Sequence, residues 1–148
     1  MGLIDTITGG RIYLDTNIVI YALEGYPEFA PALTSLFKAV DENKIKAVTS
    51  ELTLAEALVK PLMVGNAVIE NVYLDTLRTS ASFQVVAISR QILIEAARLR
   101  ARANVITLPD AIHLATAQVH ACQYFLTNDK RMKSIADFDI IVLSEAGL

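Results

Sequence analysis

Hydrophobic positions along the chain follow two alternating patterns. Short apolar runs rich in β-branched and aromatic residues are typical of strands that are covered on both faces of a sheet. These runs are 12–14, 47–49, 83–87, 124–127 and 140–143. Apolar residues at helical spacing occupy the segments between the runs. They predict helices over approximately residues 17–24, 28–43, 51–63, 66–79, 90–103 and 109–121. Because helices separate successive strands, we predict an α/β fold with a central, mainly parallel sheet of about five short strands.

Residues with special backbone preferences support these limits. Gly25 is placed to end the first helix, and Ser50 and Ser89 can cap the third and fifth. Pro109 fits the first turn of the sixth helix, where its missing N–H costs nothing.

The chain has 148 residues, which is the size of one ordinary domain with a single substantial core. It contains no internal repeat, low-complexity tract or linker, so we expect one domain over residues 1–148. Residues 1–10, which end in two glycines, are expected to be a loose leader.

The longest apolar run, residues 18–23, is far too short to span a bilayer, and the first residues lack the features of a signal peptide. We therefore expect a cytoplasmic protein without a membrane partner. Cys122 is the only cysteine, which excludes an intrachain disulfide and a cysteine-based zinc site. Hydrophobic residues make up 53% of the chain, a high value that favours self-association.

Four acidic residues far apart in the sequence lie close behind apolar, strand-like runs. They are Asp15, Glu56, Asp110 and Asp129. A parallel α/β sheet gathers such residues at the carboxyl ends of its strands. Two carboxylates about 4 to 5 Å apart repel by roughly 3 to 4 kcal/mol at an effective dielectric constant of about 20, so the cluster needs protons or cations. Hard oxygen ligands suit Mg²⁺ or Mn²⁺.

Three of these acids also have a purely local explanation. Asp15 can cap the first helix, Asp110 lies in the first turn of another helix, and Asp129 can serve in a turn. Taken singly, none of the three indicates chemistry.

Glu56 is different because its helix is largely apolar. Thr53, Glu56 and Lys60 form a narrow polar stripe on it. Either Glu56 pairs with Lys60 on the surface, or the stripe borders a wet cleft that holds the other acids. We favour the cleft, since a mostly buried helix has few places to direct a charge.

The net charge of −3 argues against a protein that holds nucleic acid by bulk electrostatic attraction. Cations bound to clustered acids would reverse the local sign toward a phosphate.

An ordered set of four short motifs resembles the PIN-domain nucleases, notably the VapC-like toxins. The motifs are Leu14-Asp15-Thr16-Asn17, Ser50 through Ala55-Glu56, Leu108-Pro109-Asp110-Ala111 and Leu126-Thr127-Asn128-Asp129. The resemblance spans almost the whole chain and implies a three-layer α/β/α domain. It further implies an Mg²⁺- or Mn²⁺-dependent endoribonuclease whose acidic site is formed by the four acids, with the Thr127 hydroxyl beside it. It also implies the toxin of a toxin–antitoxin pair, inhibited by a small antitoxin protein and assembled as a homodimer.

Several neighbours of the acids could assist. Thr16, Asn17 and Ser50 could donate to the carboxylates or to a substrate phosphate, although each is also an ordinary cap or turn residue. The basic residues after Asp129 could contact the RNA backbone, with a solvated loop as the nearly equal alternative. They are Lys130, Arg131 and Lys133. His113 lies one helical turn beyond Asp110, but a lone histidine on a helix is more often a packed or solvated residue.

Three other functions compete with the toxin. A haloacid-dehalogenase-like phosphatase would need a second acid two residues after the first, where this chain has Asn17. A PIN-like scaffold would bind RNA or protein without cutting, and a PIN nuclease could also serve in RNA maturation or decay. The presence of all four acids disfavours the scaffold.

Overall fold

The structure, a computed structural model, describes residues 2–135 and 137–146. The helices of this part of the chain are α1 (Leu3–Ile7), α2 (Thr16–Glu24), α3 (Ala30–Asp41), α4 (Glu51–Val64), α5 (Ala67–Thr76), α6 (Arg90–Arg102) and α7 (Leu108–Val119). The strands are β1 (Arg11–Leu14), β2 (Lys46–Ser50), β3 (Phe83–Val86), β4 (Tyr124–Thr127) and β5 (Ile140–Val142). Short 3₁₀ turns follow β4 and β5, at Lys130–Ser134 and Leu143–Glu145.

The five strands form one sheet in the order β3-β2-β1-β4-β5, and every neighbouring pair is parallel. The prediction of a parallel sheet is confirmed. Tyr13 of β1 pairs with Val48 of β2 on one side and with Phe125 of β4 on the other. Because the strand order reverses direction at β1, the carboxyl ends of β1 and β4 border the crevice where ligands bind in such sheets.

Hydrophobic cores cover both faces of the sheet, as the apolar strands predict. Ile12 and Leu14 face a core shared with α2 to α5, whereas Tyr13 and Phe125 face a second core built with α6 and α7. This alternation follows from the two-residue period of a strand. The resulting arrangement is a three-layer α/β/α domain, which confirms the predicted fold class.

The predicted helix limits agree with the structure to within a few residues. Gly25 ends α2 in the left-handed conformation, with φ of 67°, which only glycine adopts at little cost. The hydroxyls of Ser50 and Ser89 accept backbone N–H bonds from α4 and α6. Pro109 lies in the first turn of α7.

Residues 2–10 differ from the expected loose leader. Residues 3–7 form α1, and Ile7 is buried in the core against the sheet. The N–H of Gly9 also donates to the carbonyl of Lys44 at 2.7 Å. The buried side chain of Ile7 and the hydrogen bond of Gly9 therefore hold in place a segment that the sequence predicted to be loose.

None of the helices in the described part of the chain combines the length and the apolar character that a bilayer crossing requires.

Central-strand packing gives a direct stability test. Ile12→Val, which removes a methylene from a fully buried side chain, is expected to lower the free energy of unfolding by about 0.5 to 1.5 kcal/mol. Chemical denaturation measures the change. The matched control is Ile94→Val in α6, where Ile94 is 42% exposed, and there we expect a change below about 0.5 kcal/mol. Equal losses in the two variants would contradict the assignment of Ile12 to the core.

Candidate active site

Asp15 lies where β1 ends and α2 begins. Its Oδ1 atom accepts the N–H of Thr16 at 2.9 Å, and its Oδ2 atom accepts the hydroxyl of Thr127 at 2.6 Å. Its own N–H donates to the carbonyl of Leu126 at 3.0 Å. Asp15 is therefore a helix cap, as the local explanation predicted, and it is also bonded to the end of β4. The carboxylate makes both contacts at once because it has two oxygens.

The ionised form of Asp15 is unfavourable in this environment. Burial raises the pKa of Asp15, and the nearby charge of Asp110 adds to the rise. His113 and the hydrogen bonds from Thr127 and Thr16 act in the opposite direction but do not cancel the effect of burial. A buried carboxylate of this kind gains from a cation beside it.

Glu56, in the second turn of α4, points into the same region. Its Oε1 atom accepts the hydroxyl of Thr16 at 2.7 Å and lies 2.6 Å from Nε2 of His113. Burial alone would raise the pKa of Glu56, but the hydrogen bonds from His113 and Thr16 bring it below its ordinary value. Within the described residues Lys60 forms no ion pair with Glu56, so the surface pair is not the reading that the structure supports.

His113, which the sequence predicted to be an ordinary packed or solvated histidine, lies beside Glu56. Its ring is almost fully buried, and Nδ1 lies 2.6 Å from the hydroxyl of Tyr13. Its Nε2 atom lies 3.9 Å from Oδ1 of Asp15 as well as beside Glu56. The histidine is packed, as expected, but it is packed against the acids. The available signal was a tyrosine two residues before Asp15 together with a lone histidine in an apolar helix, and neither feature indicates the contact by itself.

Asp110 lies in the first turn of α7, and Asp129 lies at the start of the 3₁₀ turn that follows β4. Oδ2 of Asp110 accepts the backbone N–H of Thr107 at 2.9 Å, which completes a capping box at the start of α7. Oδ1 of Asp129 accepts the backbone N–H of Arg131 at 3.0 Å and caps the following 3₁₀ turn. Both residues therefore have the local roles that the sequence allowed.

The guanidinium of Arg131 joins these two acids. Its Nε atom donates to Oδ1 of Asp129 at 3.0 Å, and its Nη2 atom, which bonds Oδ2 of Asp129, lies 3.7 Å from Oδ2 of Asp110. The hydrogen bond from Arg131 lowers the pKa of Asp129. A cation of the protein itself thus lies between two of the four predicted acids.

The predicted supporting hydroxyls divide into two groups. Thr127 donates to Asp15 and accepts the N–H of Asp129 at 3.1 Å, and Thr16 donates to Glu56. Ser50 instead caps α4 by accepting the N–H of Leu52 at 3.0 Å. Two threonines therefore connect three acids, and the serine serves its helix.

The remaining predicted neighbours occupy different surroundings. Oδ1 of Asn17 is buried and has no hydrogen-bond partner among residues 2–135 and 137–146. Lys133 and Lys130 lie 2.6 and 3.9 Å from Glu145, so their ammonium groups are directed to that acid. Of the three basic residues proposed as RNA contacts, Arg131 is the one that lies against the acids.

A family model of the PIN domain matches residues 12–138. The chain belongs to the PIN domain family. The resemblance drawn from the four motifs is thereby confirmed, and PIN domains are a family of nucleases.

Solved structures share the fold of this PIN domain. A toxin–antitoxin complex from Klebsiella pneumoniae is 26% identical, with a TM-score of 0.67 over 89% of this chain and 97% of that chain. VapBC2 from Rickettsia felis, bound to a DNA fragment from its promoter, is 18% identical, with a TM-score of 0.72 over 89% of this chain and 98% of that one. VapC20 of Mycobacterium tuberculosis, a sarcin-ricin loop cleaving toxin, is 13% identical, with a TM-score of 0.64 over 86% and 98%. No curated protein matches the chain.

The acids of this PIN domain have the right donor chemistry for Mg²⁺ or Mn²⁺, since all four offer hard carboxylate oxygens. Asp110 and Asp129 already share a cation, the Arg131 guanidinium. In the described part of the chain, however, no three His, Cys, Asp or Glu side chains are gathered closely enough to ligate one ion together. The shared ion therefore stays a prediction.

Arg131 gives a test of this site that does not depend on catalysis. Arg131→Gln removes a positive charge that competes with an incoming cation for Asp110 and Asp129, so Mn²⁺ should bind several-fold more tightly in the absence of RNA. Isothermal titration calorimetry measures the affinity. Lys133→Gln is the matched control, because that lysine pairs with Glu145 instead. Unchanged or weaker Mn²⁺ binding in Arg131→Gln would contradict the competition.

Proposed function

We propose that this PIN domain is a metal-dependent endoribonuclease that hydrolyses RNA phosphodiester bonds with an activated water. The observation that carries the proposal is a hydrogen-bonded network of carboxylates and two threonine hydroxyls beside the ends of β1 and β4. Asp15, Thr127 and Asp129 are joined by direct hydrogen bonds there, and Glu56 is joined through Thr16.

Each acid has a role in this proposal. Asp15 and Asp110 would hold the principal Mg²⁺ or Mn²⁺, and Glu56 and Asp129 would orient the attacking water or a second ion. When bound, such ions lower the pKa of water and neutralise the departing oxygen.

The residues around the four acids would hold the carboxylates in position and would not take part in the reaction themselves. Thr127 and Thr16 donate to the carboxylates and keep them in place before any substrate arrives. Catalysis of this kind depends mainly on positioning and on charge stabilisation. Arg131 borders the acids and is more than half exposed, so it could contact an RNA phosphate once its carboxylates bind a metal.

The proposal is tested by incubating the purified protein with total RNA and Mn²⁺ and mapping the new ends. Defined internal ends that disappear with EDTA support the endoribonuclease. RNA binding without cleavage, at any concentration of Mg²⁺ or Mn²⁺, would instead support the scaffold.

We also propose that the nuclease is the toxin of a toxin–antitoxin pair. The 26% identical Klebsiella structure, a toxin–antitoxin complex, supports this role. Exposed apolar side chains at the junction of α4 and α5 support a partner that covers them, either a small antitoxin or a second copy in a homodimer. They are Val59, Leu62, Met63, Val64 and Val68.

Growth of expressing cells separates the biological roles. Arrest on expression, relieved by a short partner that co-purifies with the protein, supports the toxin. Normal growth despite confirmed cleavage would support a role in RNA maturation or decay.

A further inference from the structure

We infer that His113 is a positioning residue for Glu56 and that the hydroxyl of Tyr13 fixes the histidine tautomer that performs this task. The inference deepens the proposed nuclease site and rests on it. His113 would touch neither substrate nor metal, and it would act on the reaction mainly through the Glu56 carboxylate, which it contacts at 2.6 Å compared with 3.9 Å for Asp15.

The tautomer follows from donor and acceptor capacity. An ionised carboxylate can only accept, so the proton in the 2.6 Å contact between Glu56 Oε1 and His113 Nε2 belongs to Nε2. In the tautomer that carries its proton on Nε2, Nδ1 can only accept, and the Tyr13 hydroxyl 2.6 Å away can donate to it.

Both hydrogen bonds to Glu56 arrive at the same oxygen. Thr16 and His113 lie 2.7 and 2.6 Å from Oε1, and within the residues that the structure describes no group donates to Oε2. The Glu56 side chain is 36% exposed, whereas that of His113 is 2% exposed. One oxygen is thus anchored on the protein, and the other has no donor among the described residues, so a cation or a water can use it.

The elements involved explain why this contact matters for the whole site. Tyr13 lies on β1, which leads directly into Asp15, and His113 lies on α7 one turn after Asp110. Glu56 lies on α4. The series of hydrogen bonds from Tyr13 through His113 to Glu56 therefore links the three elements that carry Asp15, Asp110 and Glu56. Partners of metal ligands commonly fix ligand orientation in this way.

The experiment measures the Mn²⁺ affinity of the RNA-free protein by calorimetry in four single variants, and in Glu56→Ala with and without His113→Phe. His113→Phe keeps a buried ring but loses both hydrogen bonds, and Tyr13→Phe loses a single oxygen. His113→Gln retains an amide N–H that can reach Glu56. Tyr73→Phe is the matched control, because Tyr73 is equally buried and its hydroxyl donates to Glu24 outside the acidic cluster.

We expect His113→Phe to weaken Mn²⁺ binding by about 10-fold or more, the usual effect of removing a ligand's partner. Tyr13→Phe should weaken it by a smaller factor, and His113→Gln and Tyr73→Phe should stay within about threefold of the parent protein. In a Glu56→Ala background, His113→Phe should add less than about twofold, since no carboxylate is left to orient.

A second measurement reports the tautomer itself. The chain has two histidines, so ¹⁵N spectra of the imidazoles are simple to assign. We expect His113 to show a protonated Nε2 and an unprotonated Nδ1 in the parent protein and to lose this fixed pattern in Tyr13→Phe. This measurement remains informative if His113→Phe does not fold.

The outcomes distinguish the inference from the proposed function. If Glu56→Ala weakens Mn²⁺ binding while His113→Phe binds as the parent does, the inference is wrong and the nuclease site stands. A full loss from His113→Phe that persists in the Glu56→Ala background would also overturn it. If the parent protein binds no Mn²⁺ at all, the proposed metal site fails and the inference fails with it.

Discussion

Asp15→Asn is expected to reduce RNA cleavage by roughly 10³-fold, the equivalent of about 4 kcal/mol of activation free energy. The substitution keeps the size of the side chain and an oxygen that can accept the N–H of Thr16. It removes the negative charge that, in the proposed site, holds the principal cation. A cleavage assay with Mn²⁺ measures the loss.

The same substitution is expected to stabilise the ion-free protein at neutral pH. Burial raises the pKa of Asp15, so the folded state binds a proton at this carboxyl more tightly than the unfolded state does. The ionised carboxylate therefore costs stability above the folded-state pKa, and the cost disappears as the pH falls through that value. Asp15→Asn removes the cost, so its advantage in thermal unfolding should be largest at neutral pH and should shrink in acid.

Asp75→Asn is the matched control, because Asp75 is exposed on α5. It should change neither cleavage nor the pH dependence of unfolding. Full activity of Asp15→Asn would refute the assignment of the site, whereas a loss of activity accompanied by unfolding would show that Asp15 serves the fold and not the chemistry.

Divalent cations are expected to stabilise the parent protein, and their removal is expected to abolish cleavage. If Mg²⁺ or Mn²⁺ binds only the native state, a concentration 100 times its Kd raises the free energy of unfolding by about 2.7 kcal/mol. The physical reason is relief of repulsion among the acids around Asp15. EDTA should reverse both the stabilisation and the cleavage.

Salt is the necessary control for this experiment. Monovalent ions at matched ionic strength also screen repelling charges, but they do so without occupying a site. KCl should therefore give a much smaller rise in the unfolding temperature than Mn²⁺, and Asp15→Asn should lose most of the Mn²⁺ response. Equal stabilisation by KCl and Mn²⁺ would show general screening and would contradict a specific ion site.

Local sequence signals predicted the elements of the fold well. Gly25 and Ser50 mark the helix limits because each acts on backbone groups within one turn of itself, and such effects are visible in a short window of sequence. The apolar strands predicted a sheet covered on both faces because a parallel sheet exposes neither. The prediction of a loose leader was wrong because the burial of Ile7 depends on residues far away in the sequence, which a short window does not show.

The candidate acids and the threonines that donate to them, Thr16 and Thr127, were also accessible from the sequence, but the contact of His113 with Glu56 was not. His113 is 57 residues from Glu56 and 100 residues from Tyr13, and their contact exists only because the crossovers bring α7, α4 and β1 together. The sequence offered Lys60 as the neighbour of Glu56, one helical turn away. In the folded chain the partly buried Thr16 and the buried His113 bond the carboxylate instead, where a hydrogen bond is better shielded from water.

By itself, the sequence determined the α/β order, the helix limits and the set of acidic residues from which a site could be built, because these depend on residue type and on spacing within a few turns. Tertiary structure alone decided that Arg131 lies between Asp110 and Asp129 and that His113 holds Glu56. The contacts of Arg131 with Asp110 and of His113 with Glu56 join residues on separate elements, and their distances are set by how the elements pack on the sheet, which no local pattern of residues encodes.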